Sequence, residues 1–111
     1  MKMDDLSAGH CVPCEGGQPP LTEPEIEKHL KQVTEWSLNE DKTTISRRFQ
    51  FKSFQKTIFF INAIAWIANQ EGHHPTLEAG YDYCLVKYTT HAVKGLSKND
   101  FICAAKIDAL L

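Results

Sequence analysis

The sequence has 111 residues, 42% of them hydrophobic and 23% charged, with 12 basic against 14 acidic side chains and a formal net charge of -2. That length fits a single domain with a core of its own, and the charge balance offers no basic excess to grip a phosphate backbone, so direct nucleic-acid binding is not expected. The longest apolar stretch, residues 57–68, is about half the roughly 20 residues a membrane span needs, and the opening Met-Lys-Met-Asp-Asp has no apolar signal core; no membrane association and a cytoplasmic location with four reduced cysteines are the expectation.

In chain order, residues 1–20 read as a flexible leader, because Gly9, Pro13, Gly16, Gly17, Pro19 and Pro20 break any regular element. Residues 21–111 read as one domain. Thr22-Glu23-Pro24-Glu25 forms a capping box, with Leu21 and Ile26 set for a hydrophobic staple, so a first helix begins there with Ile26, Leu30 and Val33 on its apolar face. Trp36 to Leu38 suggests a short strand and Asn39 to Lys42 a turn. Across 43–51, Ile45, Arg47, Phe49 and Phe51 alternate with polar neighbours at the period of a strand.

Ser53 caps a long helix running to Gln70. Its apolar residues cover nearly the whole circumference, and a chain this short has little material to bury such a helix twice. A homodimer or homotetramer built through this helix and the sheet edges is therefore expected. Gly72 ends the helix. Residues 76–81 and 83–90 read as a hairpin turning near Gly80 to Tyr83. Ser97-Lys98-Asn99-Asp100 caps a last helix, whose buried side draws on Phe101, Ala104, Ala105, Ile107 and Leu111. The sum is an α+β fold: a four-stranded antiparallel sheet with three helices packed on one face.

Three of the five histidines, His73, His74 and His91, carry the chemical signal. Pro75 holds His74 extended, and a hairpin with its turn near the middle returns His91 beside the start of its first strand. Imidazoles, with an unperturbed pKa of about 6.5, can give and take protons near neutrality. Eliminating water needs both an acid for the departing hydroxyl and a base, and such a cluster supplies them without a cofactor. Any one histidine is more often a packed or surface residue. Three can also hold zinc, although adjacent side chains in an extended segment point to opposite faces, which hinders joint ligation by His73 and His74. Cys11-Val12-Pro13-Cys14 is a second candidate, for a metal or a redox pair, but no second Cys-x-x-Cys or His pair follows at ribbon spacing; inert cysteines in a loop are the expectation, and no metal site.

Glu71-Gly72-His73-His74-Pro75, Tyr81, His91, Gly95-Leu96-Ser97 and Asp100, together with the junction Arg48-Phe49-Gln50-Phe51-Lys52-Ser53-Phe54, resemble the pterin-4a-carbinolamine dehydratases, known in animals also as the dimerization cofactor of hepatocyte nuclear factor. The leader resembles that of bacterial members. The resemblance implies a metal-free and cofactor-free enzyme that removes water from 4a-hydroxytetrahydropterin to give quinonoid dihydropterin, recycling the cofactor of aromatic amino-acid hydroxylases. It implies His73 and His91 as the acid/base pair, His74 as the group that binds and polarises the pterin, and Pro75, Asn69, Tyr81 and Asp100 as further residues of the substrate site. Pro75 matches the family as a structural member, Tyr81 as a wall or packing residue, and Asp100 has capping as a sufficient structural role. Animal members commonly carry a glutamate where this chain has Asn69, so the histidines here are expected to work without a dedicated carboxylate partner. Two other readings compete: a binding module that offers the long helix to a protein partner, and a metalloprotein using Cys11, Cys14 and a histidine.

Overall fold

The computed structural model describes residues 5–111. The first helix, α1 (Glu23–Leu30), starts as its sequence dictates: the Thr22 hydroxyl accepts from the Glu25 N–H and the Glu25 carboxylate accepts from the Thr22 N–H. Ile26 and Val33 are buried, and Leu21 and Leu30 pack against the same core. Strands β1 (Ser37–Leu38) and β2 (Ile45–Gln50) pair across the expected turn. The long helix α2 (Phe54–Glu71) is capped by the Ser53 hydroxyl, which accepts from the Lys56 N–H. Strands β3 (Thr76–Ala79) and β4 (Tyr83–Tyr88) form the hairpin, and α3 (Lys98–Asp108) closes the fold.

The sheet is antiparallel throughout, in the order β1-β2-β4-β3. The β2–β4 register sets Ile45 opposite Tyr88, Arg47 opposite Val86 and Phe49 opposite Cys84. These residues share one face because strand side chains alternate. All but Arg47 are buried under the helices, while Arg48, Gln50 and Lys87 on the other face are open. Arg47 reaches the rim of the core and pairs with Asp108 at 2.9 Å, the carboxylate that also accepts from the Trp36 indole N–H at 2.8 Å. Phe60 of α2 packs its ring 4.7 Å from Phe49 and 5.0 Å from Phe51. Each such side chain fully removed from water stabilises the fold by roughly 1.5–3 kcal/mol.

Within one chain α2 is covered on one side only. Thr57, Phe60, Ile64, Ile67 and Ala68 are buried, whereas Phe54, Phe59 and Trp66 are 52%, 61% and 64% exposed. That is the uncovered apolar side the sequence pattern anticipates. No helix among the described residues is long and apolar enough to cross a membrane.

Residues 1–4 of the leader lie outside the described residues; from Asp5 onward it packs on the domain. Leu6 is buried and its N–H donates to Gln32 Oε1 at 2.9 Å. Farther along, Leu21 N–H donates to Leu96 O at 2.9 Å. Gly and Pro do preclude long regular structure there, leaving one short 3-10 helix, Leu6–Ala8, but irregular backbone packs when side chains of the domain satisfy its polar groups. Leu111 is not buried: α3 ends at Asp108, and Leu111 beyond it is 67% exposed.

Candidate active site

Four element ends meet at one edge of the sheet. Helix α2 stops at Gly72, whose left-handed φ of 64° suits glycine. Both the Gly72 and the His73 N–H groups return to Ala68 O, which turns the chain into β3 with His73 and His74 on the bend. At the far end of β4, a Thr90–Gly95 bridge closes a loop containing the 3-10 turn His91–Val93. The register of Thr76 with Lys87 explains why this loop lies beside His73 and His74. The first turn of α3 comes in beneath them.

The result is a cleft of about 650 Å³ bordered by His73, His74, His91 and Asn69 and, from the leader, by residues 11–14. His73 is half-buried, with its ring stacked on Tyr88 at 5.1 Å and 19°. Its Nε2 lies 2.5 Å from Asp100 Oδ1. Asp100 is fully buried, and its other oxygen accepts from the Thr90 hydroxyl at 2.7 Å and the Ser97 N–H at 2.9 Å. Burial alone would lower the His73 pKa, but the hydrogen bond and charge of Asp100 outweigh it, and the net shift is upward. This contact engages Nε2 and leaves Nδ1 as the other ring nitrogen. His74 and His91 are exposed on the same cleft.

The structure therefore gathers His73, His74, His91 and Asn69 as the sequence suggests, and departs at the other positions. The expectation of histidines without a carboxylate is corrected: Asp100 is the partner of His73, while Asn69 borders the cleft with no side-chain hydrogen bond to any of the three imidazoles among the described residues. Asp100, which the resemblance places in the substrate site, is buried behind His73 and does not border the cleft. Its capping bond to the Ser97 N–H uses one oxygen and leaves the other for the imidazole, so cap and dyad are one arrangement. Tyr81 is 68% exposed in the β3–β4 turn, and Pro75 is half-buried behind the bend; neither borders the cleft. Cys11 and Cys14 do border it, which sequence reasoning missed. Cys11 faces the Cys103 thiol at 3.6 Å, and no group of three or more His, Cys, Asp or Glu is gathered as a metal site among the described residues.

A family model described as pterin 4 alpha carbinolamine dehydratase matches residues 19–110. A protein of Nitrosomonas europaea is 55% identical over 107 residues, spanning 96% of this chain and 93% of its own. A protein of Legionella pneumophila (strain Corby) is 56% identical over 108 residues, spanning 96% of each chain. Both are named pterin-4-alpha-carbinolamine dehydratase, with the qualifier that marks an inferred assignment. The crystal structure of a transcriptional coactivator/pterin dehydratase from Brucella melitensis superposes with a TM-score of 0.78 at 30% identity, covering 82% of this chain and 97% of that one. A pterin dehydratase-like RuBisCO assembly factor of the alpha-carboxysome shares the fold, with a TM-score of 0.61 at 24% identity over 71% of this chain and 92% of its own.

Proposed function

We infer the mechanism from one premise: this chain belongs to the pterin 4 alpha carbinolamine dehydratase family, and it removes water from a 4a-hydroxytetrahydropterin. His73 is the general acid. The Asp100 carboxylate behind it favours the imidazolium, and Nδ1 delivers that proton to the hydroxyl on C4a, which departs as water. His91 is the base that takes the proton from the neighbouring N5, so that a C4a–N5 double bond forms and the quinonoid dihydropterin results. Solvent at the open cleft returns the proton from His91 to His73. His74 binds the pterin and polarises its hydroxyl. Asn69 contributes a neutral amide to the same wall.

The single observation that carries this assignment is the pairing of half-buried His73 with buried Asp100 at a cleft that also holds His74 and His91. The biological role that follows is recycling the tetrahydropterin of aromatic amino-acid hydroxylases in the cytoplasm. A net charge of -2 gives no basic excess that would favour nucleic acid. Self-association through the uncovered side of α2, where Phe59 and Trp66 stand open, and through the β3 edge completes the reading. The test is the decay of 4a-hydroxytetrahydropterin with and without protein. Wild type should accelerate it, and His73→Ala and His91→Ala should each lose about 10²–10⁴ of the acceleration. Variants indistinguishable from wild type would remove both histidines from the mechanism.

A further inference from the structure

The leader precedes residue 19, where the matched family span starts, and it meets the cleft through contacts to two residues inside that span. Asn99, in the first turn of α3 and 6% exposed, reads the Val12 peptide on both sides. Its Oδ1 accepts from Val12 N–H at 3.1 Å, and its Nδ2 donates to Val12 O at 2.6 Å and lies 3.3 Å from Cys14 Sγ. Glu71, the last residue of α2, takes the preceding residues: Oε1 accepts from Cys11 N–H at 2.7 Å, and Oε2 lies 3.1 Å from His10 Nδ1 and 3.8 Å from Lys106 Nζ. Cys11 Sγ then rests against Cys103 Sγ.

Here a stretch belonging to no strand has its backbone paired by side chains, and unsatisfied backbone groups in a packed segment are costly. The anchors are not scattered. Glu71 stands two residues before His73, and Asn99 is adjacent to Asp100. The same two helix ends that present the histidine–carboxylate pair also fix the segment across from it.

We propose that residues 11–14 form a built wall of the pterin site, with Asn99 and Glu71 as the positioning residues that hold this wall against the histidines. The proposal rests on the dehydratase reading and adds what grips the substrate. The wall offers thiols, the Val12 side chain and a proline ring, surfaces that suit the flat, weakly polar face of a pterin rather than its hydrogen-bonding edge. It takes no part in proton transfer. The Cys11 thiol is held neutral by its hydrogen bond to Cys103 and by burial, which push its pKa up. Burial would likewise raise Glu71, but the Cys11 N–H, His10 and Lys106 outweigh it and hold the carboxyl ionised, as an anchor for backbone N–H requires.

The test compares wild type with Asn99→Leu, Glu71→Leu and the conservative Glu71→Gln, which keeps an acceptor for Cys11 N–H. Three quantities are read: KM and kcat for 4a-hydroxytetrahydropterin, the Kd of 7,8-dihydrobiopterin as a stable pterin lacking the 4a hydroxyl, and the rate at which a thiol reagent labels Cys11, located by mass spectrometry. The two leucine variants should raise KM and Kd about tenfold, equivalent to about 1.4 kcal/mol. Their kcat should stay within about threefold and Cys11 labelling should accelerate, while Glu71→Gln should retain most of the affinity. Faster Cys11 labelling with unchanged KM and Kd would overturn the proposal, since the leader would then leave without affecting the site. Unchanged labelling and affinity in all three variants would overturn it as well. A wild type that fails to accelerate dehydration would sink the dehydratase reading instead, and the Kd series would still judge the wall.

Discussion

Replacing Asp100 by asparagine changes one charge at the centre of the site and little of its shape. In the native protein one carboxylate oxygen serves Thr90 and Ser97 and the other meets His73 Nε2. An asparagine can keep its oxygen toward the first two and must then present its N–H₂ to the imidazole. That amide can donate only to a neutral ring, so it works against the imidazolium that the carboxylate favours. Hydrogen bonds to charged groups contribute about 1.5–3 kcal/mol and neutral ones about 0.5–1.5, so the exchange costs on the order of 1–2 kcal/mol. For a domain of this size that is a fall of roughly 4–9 °C in Tm. The loss depends on pH with a definite sign. The His73 pKa is raised in the folded protein, so its stabilisation is complete below the unfolded value of about 6.5 and fades as pH rises through the folded value. The Tm gap between native protein and Asp100→Asn should therefore be wider at pH 6 than at pH 9. Catalysis gives an independent reading: with His73 as the acid, the alkaline limb of kcat should move to lower pH in the variant. Thermal melts at the two pH values and a pH–rate profile check both points. A gap of equal size at pH 6 and pH 9, together with an unmoved alkaline limb, would refute the role given to the pair.

Three other outcomes are expected. His91→Ala should lower kcat by about 10²–10⁴ while shifting stability by no more than about 0.5 kcal/mol, as for an exposed side chain; thermal melts beside turnover separate the two. Tyr81→Ala should leave kcat/KM within about twofold of native, since the side chain stands outside the cleft, and a tenfold loss would return Tyr81 to the site. Trp66→Glu combined with Phe59→Glu should lower the mass measured by light scattering after gel filtration, because both side chains lie on the open side of α2; an assembly that survives both charges does not use this face.

The sequence by itself determined the local elements and the neighbourhood of the site. Both capping boxes, at Thr22 and Ser97, are contacts between residues three apart, and the strand periods and the Gly72 stop are likewise written in adjacent residues. Even the return of His91 to His73 and His74 followed from one hairpin, a structure whose register is set by its own turn. The partner of His73 is another matter. Asp100 lies 27 positions away, and its capping role explained it so fully that nothing in the sequence called for a second one. Only the docking of α3 beneath the α2–β3 bend shows that the oxygen left over from the cap faces the imidazole. The leader follows the same logic over longer separations. Glycine and proline announced that residues 5–20 could not form a regular layer, but whether such a segment drifts or docks depends on donors and acceptors elsewhere. Glu71 and Asn99, 60 and 87 positions away from the residues they hold, satisfy its backbone. Periodicity and capping are read from neighbours along the chain, whereas the carboxylate dyad and the docked leader depend on which distant helix ends pack together.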